Sequence, residues 1–274
     1  MIKKFYTFLF ITLIFNYAYA QDMVLTGVYD GPLSGGKPKG VEIFILNDIA
    51  DASIYGLGSA NNGGGSDGEE YTFPAVSLNA GSYIYVKYGS TGLFNTWFGF
   101  APTYTDIAMQ INGDDAIELF MNGSVVDIYG EIDVDGTGEP WDHLDGWAYR
   151  DNDSGPDGTA WVEGNWTYSG TNVWDGQSTN ASSGSVMPVG TYAPTNQWLT
   201  SASTTDWATA SNWDNSRVPD VTTDVTVPAG ASNWPEIPGD ATTPTQCDDL
   251  TIATGATLTV PVDKCLTVNG NLSS

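Results

Sequence analysis

Two acidic runs carry the residue pattern best suited to chemistry. Asp133-Val134-Asp135-Gly136-Thr137-Gly138-Glu139 and Asp151-Asn152-Asp153-Ser154-Gly155-Pro156-Asp157-Gly158 set carboxylates at alternate positions, with glycines between them. Calcium takes six to eight oxygen ligands, and a glycine-bent loop can turn alternate acids toward one ion. Asp133, Asp135, Glu139, Asp151, Asp153 and Asp157 are therefore candidate Ca2+ ligands, and Ca2+ is the one cofactor the sequence suggests. Neither run follows the EF-hand pattern: in the second, Gly155 stands where an acid or Asn is expected, and Glu163 falls one residue late. The plainer reading of both runs is turn formation, at which Asp, Asn and Gly excel. Asn112-Gly113-Asp114-Asp115 reads the same way.

Signals for catalysis are weak. Glycosidases need two carboxyl groups roughly 5–9.5 Å apart. With 33 acids in the chain, some pair meets that spacing by chance. His143 is the only histidine, so it would have to serve any Ser-His-Asp or Cys-His arrangement, and no G-x-S-x-G element accompanies it. A lone histidine also excludes a multi-histidine zinc site. It reads as a loop residue making a local hydrogen bond. The glycine-rich stretch 61–70 lacks the GK[ST] ending of a phosphate-binding loop. No catalytic residue is expected in this chain.

Aromatic side chains crowd one region: Trp141, Trp147, Trp161, Trp166, Tyr168 and Trp174. Exposed in a row, Trp141, Trp161, Trp166, Tyr168 and Trp174 could stack on sugar faces; buried, the same rings would plug a core short of long aliphatic strands. Cys247 and Cys265 could close a disulfide loop in an oxidising compartment or remain two buried thiols, and they match no zinc pattern.

The elements that must position these groups are strands. Short Val/Ile/Tyr/Phe runs are broken by Gly, Asn, Asp and Pro, and stretches with helical periodicity are almost absent, which predicts an all-β fold. Residues 23–30 alternate like an edge strand, and 41–47 read as a strand buried on both faces. The polar run 61–70 is expected as an exposed loop. Strands are expected at 82–88, 116–121 and 124–130, the last two joined by Asn122-Gly123, which suits a type I′ hairpin turn. Phe94, Trp97, Phe98 and Phe100 are expected to plug one end of the core. The polar stretch 176–185 and Pro188 to Pro194 mark a linker or boundary. Beyond it, Trp198, Trp207 and Trp213 precede a strand at 224–228. Leu250-Thr-Ile252, Leu258-Thr-Val260 and Leu266-Thr-Val268 then repeat every eight residues, suggesting stacked, β-helix-like rungs that break off at Ser274, inside a longer architecture.

Residues 1–20 have the three parts of a secretory signal: Lys3 and Lys4, an apolar run from Phe5 to Phe15, and Ala18-Tyr19-Ala20 before a cleavage site. The apolar run is too short to span a bilayer, which takes about 20 residues. Cleavage after Ala20 removes two of eight basic residues and no acids, so the net charge of −25 becomes −27 (6 minus 33). That charge excludes a broad nucleic-acid surface and electrostatic docking on anionic lipid. Aromatics at 12% of the chain argue against disorder.

Several short motifs, in order, resemble the lamin-tail domain in the form found in secreted proteins of the Bacteroidetes group. They are Val24-Leu25-Thr26-Gly27-Val28, Val41-Glu42-Ile43-Phe44, Tyr71-Thr72-Phe73-Pro74, Asn112 through Leu119, and Val125-Val126-Asp127. The resemblance covers roughly 22–193. It implies an immunoglobulin-like β-sandwich serving as an accessory module of exported multidomain proteins, some of them hydrolases, with no catalytic residue of its own. Residues 195–274 are similar to the Trp-rich segments that precede β repeats in such surface proteins. The expectation is a secreted or cell-surface binding or structural module whose partner is an extracellular protein, matrix or glycan. Its alternatives are the accessory portion of a larger hydrolase, for example a nuclease, and a glycan-binding protein.

Overall fold

The computed structural model describes residues 21–215 and 217–274; the proposed signal peptide lies outside them. The chain is mostly β, with 32% strand and 10% helix. Among the described residues no helix is long and apolar enough to cross a membrane.

The first unit runs through β1 (Met23–Leu33), β2 (Lys37–Ile45), β3 (Tyr55–Ala60), β4 (Tyr71–Thr72), β5 (Tyr83–Tyr88), α1 (Thr91–Phe98), β6 (Tyr104–Thr105), β7 (Ala116–Met121), β8 (Ser124–Tyr129), β9 (Gly146–Arg150) and β10 (Trp166–Tyr168). Its strands form a six-stranded sheet ordered β10-β9-β1-β2-β5-β6 and a four-stranded sheet ordered β4-β3-β7-β8. Alternation sends Leu25, Val41, Ile43, Ile84 and Val86 of the first toward Leu57, Ile117 and Leu119 of the second, closing a core between the sheets.

β1 is a central strand, paired to β2 on one side and β9 on the other, contrary to the edge placement its alternation suggests. The second partner, β9, lies more than 100 residues downstream. Val24, Tyr29, Phe44 and Tyr149 point away from the inter-sheet core, into a second core built by Phe94 and Trp97 of α1 with Trp174, Met187 and Tyr192. The six-stranded sheet is thus covered on both faces, and the 94–100 rings cover a face where an end plug was expected. Residues 176–192 take part in that cover. Asn180 is buried, donates from Nδ2 to the Met187 carbonyl at 2.9 Å and accepts from the Met187 amide at 2.8 Å.

The hairpin between β7 and β8 forms as expected. Met121 pairs with Ser124, and Asn122 (φ 50°) and Gly123 (φ 74°) take the two left-handed positions of the turn. The polar run 61–70 connects β3 to β4, largely exposed.

The second unit contains β11 (Thr195–Gln197), β12 (Asp224–Val227), β13 (Thr245–Cys247), β14 (Leu250–Ile252), β15 (Leu266–Val268) and β16 (Leu272–Ser273). Every pairing between these strands is parallel. β11, β12, β14 and β16 form one ladder, β13 and β15 a second, and single bridges Asp206–Glu236–Thr259 a third. The chain therefore coils, stacking Val225, Leu250 and Leu272 in register. The eight-residue repeat has a different meaning from the one expected. Leu250, Leu258 and Leu266 are not stacked on one another: their triplets fall on three separate ladders of the same turn, the first and third pairing with strands of the neighbouring turn and the second with Glu236 by a single bridge. Trp198, Trp207 and Trp213 pack inside this unit, with Trp213 edge-on to both others at centroid separations of 5.0 and 4.7 Å.

The same register holds the two cysteines apart. Cys247 and Cys265 are both free thiols. Cys247 sits opposite Val268, three positions beyond Cys265. Three strand residues span about 10 Å, whereas a disulfide needs Cα atoms within about 7 Å.

Candidate functional site

The six candidate calcium ligands do not converge. Asp133, Asp135 and Glu139 are exposed, and Asp135 accepts from the Thr137 amide at 3.0 Å. Asp151 accepts from the Thr167 hydroxyl at 2.8 Å, and Asp153 from the Thr195 amide at 3.1 Å. Asp157 is committed to Arg150 Nη1 at 2.9 Å and to the Asn165 amide at 2.7 Å. Among the described residues no three His, Cys, Asp or Glu side chains gather as metal ligands. So placed, Asp135 caps its own turn, Asp151 and Asp153 tie distant segments together, and Asp157 pairs with Arg150.

The aromatic candidates divide between the two cores. Trp141, Trp161, Trp166 and Tyr168 surround Tyr129 on the inter-sheet side, with Tyr129 and Trp166 centroids 4.8 Å apart. Trp174 lies on the opposite face, edge-on to Trp97 at 4.7 Å, its indole donating to the Ser185 carbonyl at 2.7 Å. A stacking platform needs open ring faces, and Trp141, Trp166 and Trp174 are buried. These rings pack the cores.

His143 is sealed as well. It is fully buried, and its Nδ1 lies 3.3 Å from both the Tyr129 hydroxyl and the Trp141 carbonyl. Burial pulls its imidazole down to about 4, despite Asp142 and Asp114 nearby.

Other charged groups are consumed inside the sandwich. Arg150 on β9 meets Asp127 on β8 through Nη2 at 2.8 and 3.0 Å and lies over the Trp166 ring at 4.5 Å. Asp127 also accepts from the Leu25 and Asp157 amides at 2.8 and 2.9 Å. Glu42 on β2 is equally buried, accepting from the Thr26 and Tyr149 hydroxyls and the Gly190 amide at 2.8, 2.7 and 2.7 Å. Its burial raises the carboxyl's affinity for a proton, and those three bonds oppose the rise. Both clusters join strands to the segments covering them.

One open cleft, of about 530 Å3, lies between two loops. Ser59, Asn61, Asn62 and Glu70 line one wall; Ile107, Ala108, Gln110 and Asn112 line the other. Asp115, buried at the start of β7, fixes both. Its Oδ1 accepts from the Asn62 amide at 2.8 Å and its Oδ2 from the Asn112 amide at 2.6 Å. Desolvation raises this carboxyl, and those two backbone donors pull it back. Asn62 holds a left-handed conformation, φ 51°, which Asn tolerates better than most residues. Glu70 accepts from the Ser59 amide and hydroxyl at 2.9 and 3.0 Å, anchoring the first wall. Lys39 donates to Asn112 Oδ1 at 2.9 Å while pairing with Asp30 at 3.2 Å, anchoring the second.

The side-chain amides of Asn62 and Gln110 make no hydrogen bond among the described residues, and Ile107 is 73% exposed beside them. Carboxamides both donate and accept, so this wall presents mixed hydrogen-bonding groups around one aliphatic patch. Sequence reasoning took Asn112 and Asp115 only as turn chemistry and Asn61, Asn62 and Glu70 only as an exposed loop, and it did not single out Gln110. The available signal was the pair of runs Asn61-Asn62-Gly63 and Asn112-Gly113-Asp114-Asp115, which the fold brings face to face.

No family model matches the chain, and neither a curated protein nor a solved structure does.

Proposed function

We propose that this chain is an exported, non-catalytic binding module that holds an extracellular partner in the loop cleft closed by Asp115. The observation that carries the reading is a contrast. Arg150, Asp127, Glu42 and His143 are buried in contacts that join strands and covering segments. In the 59–62 and 107–112 loops, in contrast, the backbone is fixed from behind while the side-chain amides of Asn62 and Gln110 stay open. Loops positioned by a rigid scaffold are where binding residues concentrate.

The sandwich reading draws support from where the resemblance motifs fall. Val24–Val28 lies in β1, Val41–Phe44 in β2, Tyr71-Thr72 in β4, Ala116–Leu119 in β7 and Val125–Asp127 in β8. A lamin-tail-like, immunoglobulin-like accessory role, at the cell surface or in the medium, fits that arrangement and the strongly acidic composition. The test is retention of immobilised Gln21–Ser274 on cell-envelope and matrix fractions. Binding that is lost when Asn62 and Gln110 are replaced is the expected result. Equal retention by that variant removes the cleft from the proposal, and polymer turnover by the purified chain overturns the non-catalytic reading.

A further inference from the structure

The chemistry of the cleft narrows its ligand, given that the binding reading holds: we infer that it takes a neutral saccharide. Charge argues first. Glu70 stands on the wall and Asp115 at the floor of a chain carrying −25 overall, which disfavours an anionic ligand. A cation finds no shell either: among the described residues no three His, Cys, Asp or Glu side chains gather as ligands, and Asp115 already accepts from two backbone amides.

An extended peptide is disfavoured by the backbone. Strand addition needs unpaired main-chain donors, and the amides of Ser59, Asn62 and Asn112 already donate to Glu70 and Asp115. What the walls offer are side chains: the amides of Asn62 and Gln110, the Asn61 carboxamide oxygen, its nitrogen being turned to Ser59 Oγ at 3.4 Å, and the Glu70 oxygen not engaged by Ser59. Sugar hydroxyls are simultaneous donors and acceptors, which carboxamides match from both sides. The exposed side chain of Ile107 gives the C–H face of a pyranose an apolar surface to lie on. The volume of about 530 Å3 lies within the ordinary range for small-ligand clefts.

The buried Asp115 adds preorganisation. It ties the backbone of residue 62 on one wall to that of residue 112 on the other, so the two walls are held at a fixed spacing before a sugar arrives.

The experiment is a binding survey of Gln21–Ser274 by saturation-transfer NMR and calorimetry. It uses neutral oligosaccharides (gluco-, manno-, galacto- and chito-), with uronic-acid oligomers and short peptides alongside. A variant carrying Asn62→Gly and Gln110→Ala tests the site; glycine keeps the left-handed backbone at position 62 while deleting the amide. Expected is binding of at least one neutral oligosaccharide, weakened about tenfold or more in the variant, as loss of two hydrogen bonds implies, with an unchanged melting temperature. Ile107→Asp is expected to weaken it likewise. Binding by none of the neutral sugars overturns the inference, as does unaltered binding by the variant. If only a uronic-acid oligomer or a peptide binds, and the variant abolishes it, the saccharide class falls while the binding reading stands.

Discussion

Arg150 and Asp127 form an ion pair with no solvent access on either side chain, 2.8 Å apart, linking one sheet of the sandwich to the other. Asp157 completes the arrangement from the loop side at 2.9 Å, its side chain 5% exposed. Removing one member of a buried pair strands the other charge in a low-dielectric interior. Asp127→Ala is therefore expected to cost about 3–5 kcal/mol, read from the urea midpoint. Asp157→Ala is expected to cost clearly less, because Arg150 keeps Asp127. Equal losses in the two variants would mean that Asp127 is not the principal partner of Arg150.

His143 makes the fold sensitive to mild acid. Its imidazole stands near 4 in the folded chain and near 6.5 when unfolded, because burial disfavours the charged ring. Between those values the unfolded chain binds the extra proton, so acidification from pH 6.5 toward 4 erodes stability, by roughly 3 kcal/mol at most. Asp30 works in the opposite direction. Burial raises its carboxyl to about 6, against the pull of Lys39, so its contribution is full below pH 4 and fades as pH climbs through 6. Denaturation of the wild type and His143→Gln at pH 7 and pH 4.5 separates the two. The gap between the proteins should narrow at the lower pH; a constant gap counts against the buried neutral ring.

The cysteines yield a chemical readout. Alkylation of the denatured, unreduced protein is expected to modify both thiols. In the native protein Cys265, partly exposed, should react, and Cys247 should not: it is buried, with its thiol pushed up to about 12 by desolvation. Recovery of a Cys247–Cys265 crosslinked peptide from unreduced protein would contradict the register of β13 and β15.

Trp174 tests whether the outer cover of the six-stranded sheet is structural. It is fully buried against Trp97 and donates to Ser185. Trp174→Ala is expected to destabilise by about 3–5 kcal/mol. Ligand retention by the remaining folded protein should be unaltered. Weakened retention at unaltered stability would return this ring to the ligand-binding set.

How much of the fold and the cleft was legible in the sequence depended on range. The hairpin at Asn122-Gly123 was readable because turn type and strand pairing are set within a dozen neighbouring residues. The edge assignment of β1 failed because β9, which pairs with its second edge, lies more than 100 residues downstream and leaves no local mark on the strand. The aromatic cluster near 141–174 was visible as a cluster, but adjacency in sequence concealed that Trp166 and Trp174 lie on opposite faces of one sheet. The acidic runs suggested convergence, which only the chain path can decide. The cleft was hardest of all: its walls are two ordinary turn sequences about 50 residues apart, joined through the single carboxylate of Asp115.

The three-ladder coil constrains how this chain can change length. The last turn closes from Leu250 to Leu272 in 22 residues, whereas the one before it, from Val225 to Leu250, uses 25. Surplus residues are therefore absorbed at the corners between ladders. Deleting one eight-residue segment would rotate everything downstream by about a third of a revolution, bringing aliphatic positions over the wrong ladder. Insertions into the corners leave the stacked leucines aligned, so natural variation and engineered tags alike should be tolerated there and nowhere else along the coil.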